Sequence, residues 1–382
     1  MKRTRPILVP LLLSLALVLA ACGDGPADEP DDTTEEPDPT DDAETDDGEA
    51  EDDAAAPDEP ADDVTIRLMT HDSFDVSTDV LEAFTTETGI DVEVVPMGDA
   101  GTALNQAILT ADQPQGDLLF GVDTTFLSRA LDADLFQSYE SPRLEAVPER
   151  YQLDPEHRLT PIDVGDVCLN YDVGWFEDAG IPVPQDLSDL LDEQYEGLLA
   201  VQNPATSSPG LAFLLATIDH FGESGYLDAW ETLRDNDVLV TDGWTEAYYG
   251  EFTAASDGDR PIVVSYASSP PAEVFFADPM PDEAPTGVIE ASCIRQIEFV
   301  GILGSTEHPD EAQQLVDFML STTFQEDIPL TMFVFPVVDD ADLPQVFVDH
   351  AVLPDDPLDL DPQVIGENRE QWIDEWTRTV LR

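Results

Sequence analysis

Three short runs bring together residue types that can hold a small molecule. Ser207-Ser-Pro-Gly210 opens a strongly apolar stretch. Serine at an N-cap followed by proline in the first turn starts a helix well. The free N–H groups and positive dipole end of such a start also make an anion site, although capping alone accounts equally well for the residues. Thr241-Asp-Gly-Trp244-Thr-Glu-Ala-Tyr248 puts a tryptophan directly after a turn glycine, and Tyr266-Ala267-Ser268-Ser269-Pro270 follows a run of apolar residues in the same manner. Aromatic walls, hydroxyl donors and a carboxylate suit a flat, cationic, nitrogen-bearing solute, held by stacking and by cation–π attraction of about 0.5–2 kcal/mol. Hydrolytic constellations are missing: there is no Gly-x-Ser-x-Gly, His-Glu-x-x-His or Gly-x-x-x-x-Gly-Lys. The five histidines are scattered and read as structural or exposed.

These runs need elements to position them. Val64 to Thr70 alternates as a strand, Ser77 to Gly89 reads as an amphipathic helix ended by glycine, and Ile90 to Val95 reads as a second strand. A helix over Ala103 to Ala111, a buried strand over Asp117 to Val122 and a helical period over Thr124 to Ala133 follow. Further strands fall at Val164 to Tyr171, Leu198 to Val201, Val238 to Val240 and Ile262 to Tyr266; helices fall at Pro209 to Phe221, Glu311 to Met319 and Val364 to Leu381. In the last, Trp372, Ile373, Trp376 and Val380 share one face, a core stripe. Alternating strands and helices predict an α/β fold with a largely parallel sheet. Ligands in such sheets sit beyond the carboxyl ends of strands, which draws attention to His71-Asp72-Ser73 and to Asp123-Thr124.

The chain begins with Lys2, Arg3 and Arg5, continues through an apolar run from Ile7 to Ala20 and reaches Leu19-Ala-Ala-Cys22. This describes an export signal, and cysteine after two alanines matches the bacterial lipobox, with Cys22 as the lipidated first residue of the mature protein. From Gly23 to Asp63 about half of the residues are Asp or Glu and none is basic or aromatic. With no apolar surface to bury, that segment is expected to be an extended tether between membrane anchor and folded body. The rest, from Val64 onward, is long enough for two domains. Lys2 is the only lysine, and the net charge is −70. Such a surface excludes nucleic acid and anionic membrane as electrostatic partners and suits concentrated salt, where the Debye length falls to about 3 Å near 1 M. Beyond Cys22 the sequence has two cysteines, Cys168 and Cys293, and an even pair in an exported chain points to a disulfide.

Read in order, Thr70-His-Asp-Ser-Phe74, Gly121-Val-Asp-Thr124, Thr206-Ser-Ser-Pro-Gly210, Thr241-Asp-Gly-Trp-Thr-Glu-Ala-Tyr248, Ser265-Tyr-Ala-Ser-Ser-Pro270 and the closing Gln371-Trp-Ile-Asp-Glu-Trp376 resemble the thiamine-binding proteins of thiamine ABC importers. The resemblance spans the body from about Val64 to the end. It implies the two-lobed type II periplasmic-binding-protein fold, with a hinge and an interlobe ligand cleft. The expected division is lobe 1 over 64–165 and 265–325, lobe 2 over 166–264, and a C-terminal segment, 326–382, packing across both. It also implies a monomeric receptor without cofactor or enzymatic activity, which binds thiamine or a thiamine phosphate and passes it to a permease with its own ATPase subunit. By position, Asp123 and Thr124 are expected to contact the ligand from one lobe, Ser207 and Ser208 to meet its hydroxyl or phosphate end, and Trp244 with Tyr266 to Pro270 to enclose the rings. Three positions depart from the pattern: His71 stands where a tyrosine is usual, Phe333 where a tryptophan is usual, and Ala272 replaces a pocket aromatic. Two alternatives stay open. The adjacent phenols Tyr248 and Tyr249 could hold ferric iron, and a thiamine-degrading enzyme would need a free cysteine.

Overall fold

The computed structural model describes residues 64–354 and 357–382; the export signal, Cys22 and the acidic segment lie outside them. Among the described residues nine strands form one mixed sheet: β1 Val64–Thr70, β2 Ile90–Pro96, β3 Leu118–Asp123, β4 Thr160–Asp172, β5 Leu199–Gln202, β6 Leu239–Thr241, β7 Ile262–Tyr266, β8 Thr286–Ile302 and β9 Phe335–Pro336. Their order is β2-β1-β3-β8-β4-β7-β5-β6, with β9 on β4. The helices are α1 Thr78–Thr88, α2 Ala100–Leu109, α3 Leu127–Asp132, α4 Val173–Ala179, α5 Ser208–Phe221, α6 Tyr226–Asp235 and α7 Trp244–Glu246. After them come α8 Pro270–Phe275, α9 Pro309–Met319, α10 Thr322–Gln325, α11 Ile328–Thr331, α12 Gln345–His350 and α13 Pro362–Val380.

The largely parallel sheet expected from the alternation is corrected at its centre. The β2-β1-β3 and β7-β5-β6 blocks are internally parallel, but β8 runs antiparallel to both β3 and β4, and β4 antiparallel to β7. Strand β4 has 13 residues and β8 has 17, long enough to pass from one block into the other. The sequence pattern marked only the middle of β4 and gave no element to β8. Their register shifts between Val167 and Leu169, and a bulge of this kind bends and twists the strand where it changes block. Cys168 and Cys293 are bonded to each other at this point.

Local chemistry explains the surrounding layers. In α1, Val80 and Phe84 are buried one turn apart, and Gly89 ends the helix at φ 75°, giving its N–H to the Thr85 carbonyl. Helix α5 is apolar all round and buried from Ser208 to Ile218, as a helix within the core must be. Helix α13 packs on both α3 and α6. Trp376 is buried edge-to-face against Trp230 of α6, and Arg369 lies over the Phe126 ring just before α3.

Candidate ligand-binding cleft

The ends of the two strand blocks face each other across a cleft of about 360 Å³, within the usual size range for small-molecule sites. Its base is built by pairing register. Asp123 of β3 stands opposite Glu298 of β8, and Glu298 stands opposite Asp163 of β4, so three adjacent strands present a row of carboxyl groups. Asp123 accepts from the Thr125 hydroxyl (2.7 Å) and the Phe126 amide (3.2 Å). Its other oxygen, and both oxygens of Asp163, are buried without a partner. Burial pushes the Asp123 carboxyl up to about 7, with the Glu298 charge adding to it. Burial, then Glu298 and Asp123, hold Asp163 well above the carboxylate range. A proton kept on Asp163 relieves repulsion along the row.

His71, one residue beyond β1, rests on this row with Nε2 3.6 Å from Glu298 Oε1. The close approach depends on Gly121, at φ 100°: a Cβ there would come within 2.6 Å of the His71 ring. Burial draws the imidazole pKa down, but Glu298, Asp99 and Asp72 outweigh it and leave the net direction upward. The Ser73 amide nevertheless donates to Nδ1 at 3.2 Å. That bond holds the neutral Nε2–H tautomer, and a second proton requires the amide to turn away.

Asp99 joins the two sides. It caps α2, accepting from Ala100 N at 2.7 Å, and also accepts from Trp244 N at 2.8 Å and Ser208 N at 3.3 Å. The latter two amides belong to elements around β5 and β6. Ser73 Oγ to Thr245 Oγ1 (2.9 Å) and Thr102 N to the Thr206 carbonyl (3.1 Å) cross the same boundary. Burial raises the Asp99 pKa, while the Trp244 amide and His71 pull it back.

The opposite wall is aromatic. The Trp244 ring stacks on Tyr248 at 4.9 Å and 19°, and its Nε1–H donates to Ser265 Oγ at 3.0 Å. Ser265 Oγ bonds Ser269 Oγ at 2.8 Å, and Ser269 Oγ accepts from Tyr266 N at 3.2 Å. The Tyr248 hydroxyl donates to Glu273 Oε1 at 2.9 Å. Burial and neighbouring carboxylates push the Tyr248 and Tyr266 phenols well up, so both stay neutral donors. The lining includes Asp72, Asp75, Asp99 and Glu298 but, among the described residues, no arginine or lysine. The cleft therefore offers negative potential beside π faces, which attracts a flat cation.

Of the sequence-expected site residues, His71, Ser208, Trp244, Tyr266, Ser269 and Phe333 line this cleft. The others stand behind it. Asp123 is buried beside Glu298 in the sheet, and Thr124 Oγ1 accepts from Ile297 N at 3.0 Å, tying β3 to β8. Ser207 takes the N-cap position of α5 with a buried hydroxyl that has no partner. Ala267 packs against the disulfide, Ser268 is buried, and Pro270 starts α8. Ala272, read as a lost aromatic, does line the cleft. Sequence reasoning missed Asp99, Glu298, Thr245, Met332 and Phe276. Asp99 was detectable as an Asp cap ahead of a helix begun too late; Glu298 was detectable as a lone carboxylate inside Ile-Glu-Phe-Val.

A model of bacterial extracellular solute-binding proteins matches residues 114–354. The thiamine-binding periplasmic protein of Salmonella typhimurium is 28% identical over 304 residues, covering 79% of this chain and 88% of that protein. A solved periplasmic thiamin binding protein superposes with a TM-score of 0.72 at 27% identity, covering 83% of this chain and 96% of its own. Iron-bound HitA from Pseudomonas aeruginosa shares the fold, with a TM-score of 0.65 at 21% identity, covering 83% of this chain and 99% of its own.

Proposed function

The chain belongs to the bacterial extracellular solute-binding protein family, and on that premise we propose that it captures thiamine, free or phosphorylated, and hands it to the permease of an ATP-driven importer. The observation that carries this reading is the pairing of an acidic, arginine- and lysine-free lining with the stacked Trp244–Tyr248 wall. Thiamine is a permanent thiazolium cation joined to a flat aminopyrimidine. Its charge fits beside Asp99 and Glu298, its rings against the aromatic wall, and its hydroxyl or phosphate arm near Ser207 and Ser208 at the start of α5. One lobe is built on the β2-β1-β3 block and the other on β7-β5-β6, with β4 and β8 as the hinge. On this reading β4 passes between the lobes near Val167 to Leu169, and β8 passes back within its own length, since Thr286 to Ile289 pair with the part of β4 that pairs β7. Bound ligand favours the closed arrangement by touching both sides. Anchoring through Cys22 and an acidic tether, a monomeric state and a high-salt habitat complete this reading and rest on the sequence.

The same wall weakens the iron alternative. Tyr248 donates a hydrogen bond to Glu273, and both Tyr248 and Tyr249 are shifted away from the phenolate by burial and by Glu273. An enzyme using a cysteine nucleophile has no thiolate to work with in Cys168 or Cys293, which are bonded to each other. Calorimetric titration of the protein in molar salt with thiamine, its monophosphate and its diphosphate is the test. One-to-one binding to any of the three is expected. No heat with all three, together with a coloured Fe(III) complex, would overturn the proposal in favour of iron.

A further inference from the structure

Among the described residues, the exposed aromatic side chains are Tyr249, Phe275 and Phe276, at 52%, 38% and 68%. They are not scattered. Tyr249 and Phe276 line the cleft, and Phe275 lies 6.1 Å from Phe333, which also lines it. Isolated exposed apolar residues need no explanation, but large ones gathered at the rim of a cavity mark a surface that something covers.

Phe276 follows α8 directly, and its amide donates to the Ala272 carbonyl at 3.0 Å. Positions 272 and 276 are therefore one turn apart on the same face. Ala272 brings only a methyl group to the cleft, and Phe276, one turn on, brings a ring to it. Phe276 meets Phe333 at 5.5 Å between centroids and 57° between planes. Phe333 is itself unusual: its backbone sits at φ 55°, a left-handed conformation that costs an aromatic residue energy and persists where surrounding structure imposes it. The imposed geometry sets the Phe333 ring at the cleft, beside Phe276.

We propose that Phe276 and Phe333 form an aromatic lip for a planar heteroaromatic ligand. Phe276 is the outer half, which closes over the exposed edge of the ring and sets ligand specificity. This rests on the thiamine reading of the same cleft and adds a residue to its lining. Closing requires only side-chain rotation, since the Phe276 ring is already largely in solvent, and the lip selects for flatness because both of its members are π faces.

The test is calorimetric titration of thiamine into wild-type protein, Phe276→Ala, Phe276→Tyr and Phe275→Ala, with thermal melts of each in the same molar salt. Phe276→Ala is expected to bind about 5–30-fold more weakly, the size of one lost aromatic contact plus the area it covered, with an unchanged melting temperature because the ring is exposed. Phe276→Tyr restores affinity, and Phe275→Ala stays within about twofold of wild type. Wild-type affinity in Phe276→Ala would overturn the lip while leaving the thiamine reading intact. Equal losses in Phe275→Ala and Phe276→Ala would also overturn it, pointing to general packing of α8. No thiamine binding by the wild type would overturn both proposals.

Discussion

Removing the Asp99 carboxylate separates helix capping from closure of the cleft. In Asp99→Ala, three amides lose an acceptor. The Ala100 bond is local to α2 and costs about 1 kcal/mol whichever way the lobes stand. The Trp244 bond at 2.8 Å and the Ser208 bond at 3.3 Å cross the cleft, so their loss falls on the closed state alone. A hydrogen bond to a charged acceptor contributes about 1.5–3 kcal/mol. Taking the full range for Trp244 and the weak end for the longer Ser208 contact gives a closure penalty of roughly 3–4.5 kcal/mol. Because apparent affinity scales with the closed fraction, thiamine should bind roughly 150- to 2,000-fold more weakly. Asp99→Asn keeps an oxygen for Trp244 but turns an NH₂ group elsewhere, so it should fall between the two. The assay is calorimetric titration at pH 8 in molar salt, beside thermal melts. Affinity of Asp99→Ala within threefold of wild type, with only a lowered melting temperature, would refute the latch and leave a helix cap. The wild type carries its own check. Burial raises the Asp99 pKa, so the latch should weaken, as pH falls, before exposed carboxylates protonate.

Two further outcomes concern stability. Asp123 rises from 3.8 unfolded to about 7 folded, so the folded state binds the extra proton between those values and stability falls as pH climbs through that window. Asp123→Asn keeps the Thr125 and Phe126 bonds and supplies a donor where the unpartnered oxygen stood. It should gain up to about 4 kcal/mol over wild type at pH 8 and less at pH 5 in denaturant unfolding, whereas an equal gain at both would contradict the assignment. The Cys168–Cys293 bond closes a separation of 125 residues, so Cys168→Ser with Cys293→Ser should cost about 2–5 kcal/mol and leave thiamine affinity near wild type. Unchanged melting with and without reductant would refute a structural role.

What the sequence conveyed follows the strength of local signals. Strand β7 fell where Ile262 to Tyr266 was read, and α1 and α5 fell within a residue of their caps. A glycine in the left-handed region and a buried proline-led helix need little tertiary context. Strand direction is different: alternation shows that a segment is extended, not which neighbour it pairs, so the antiparallel centre was invisible. Strand β8 hid for a related reason. Its Glu290, Ser292, Arg295, Gln296 and Glu298 interrupt the apolar pattern because it serves two blocks and the cleft at once. The strand-end rule drew attention to His71, Trp244 and Tyr266, which line the cleft, and to Asp123, whose carboxylate is buried in the sheet beside Glu298.

The Asp123 carboxylate bears on why the cleft tolerates its base. Asp123, Glu298 and Asp163 sit side by side in a fully buried part of the sheet, and three oxygens there lack partners. A core selected for stability alone would have filled these positions with apolar side chains, since unpaired buried carboxyl groups lower stability and raise one another's pKa. Local rules broken together in one place mark a functional demand. Here the demand is a field rather than a contact. With Asp123 and Asp163 held upward by burial, a cation arriving at the cleft should draw negative charge onto them by displacing a proton. The base can then answer a permanent positive charge without fixing a full set of bare carboxylates in the empty state. Capture of thiamine at neutral pH should on this account release protons, whereas a neutral analogue of the same shape should release fewer.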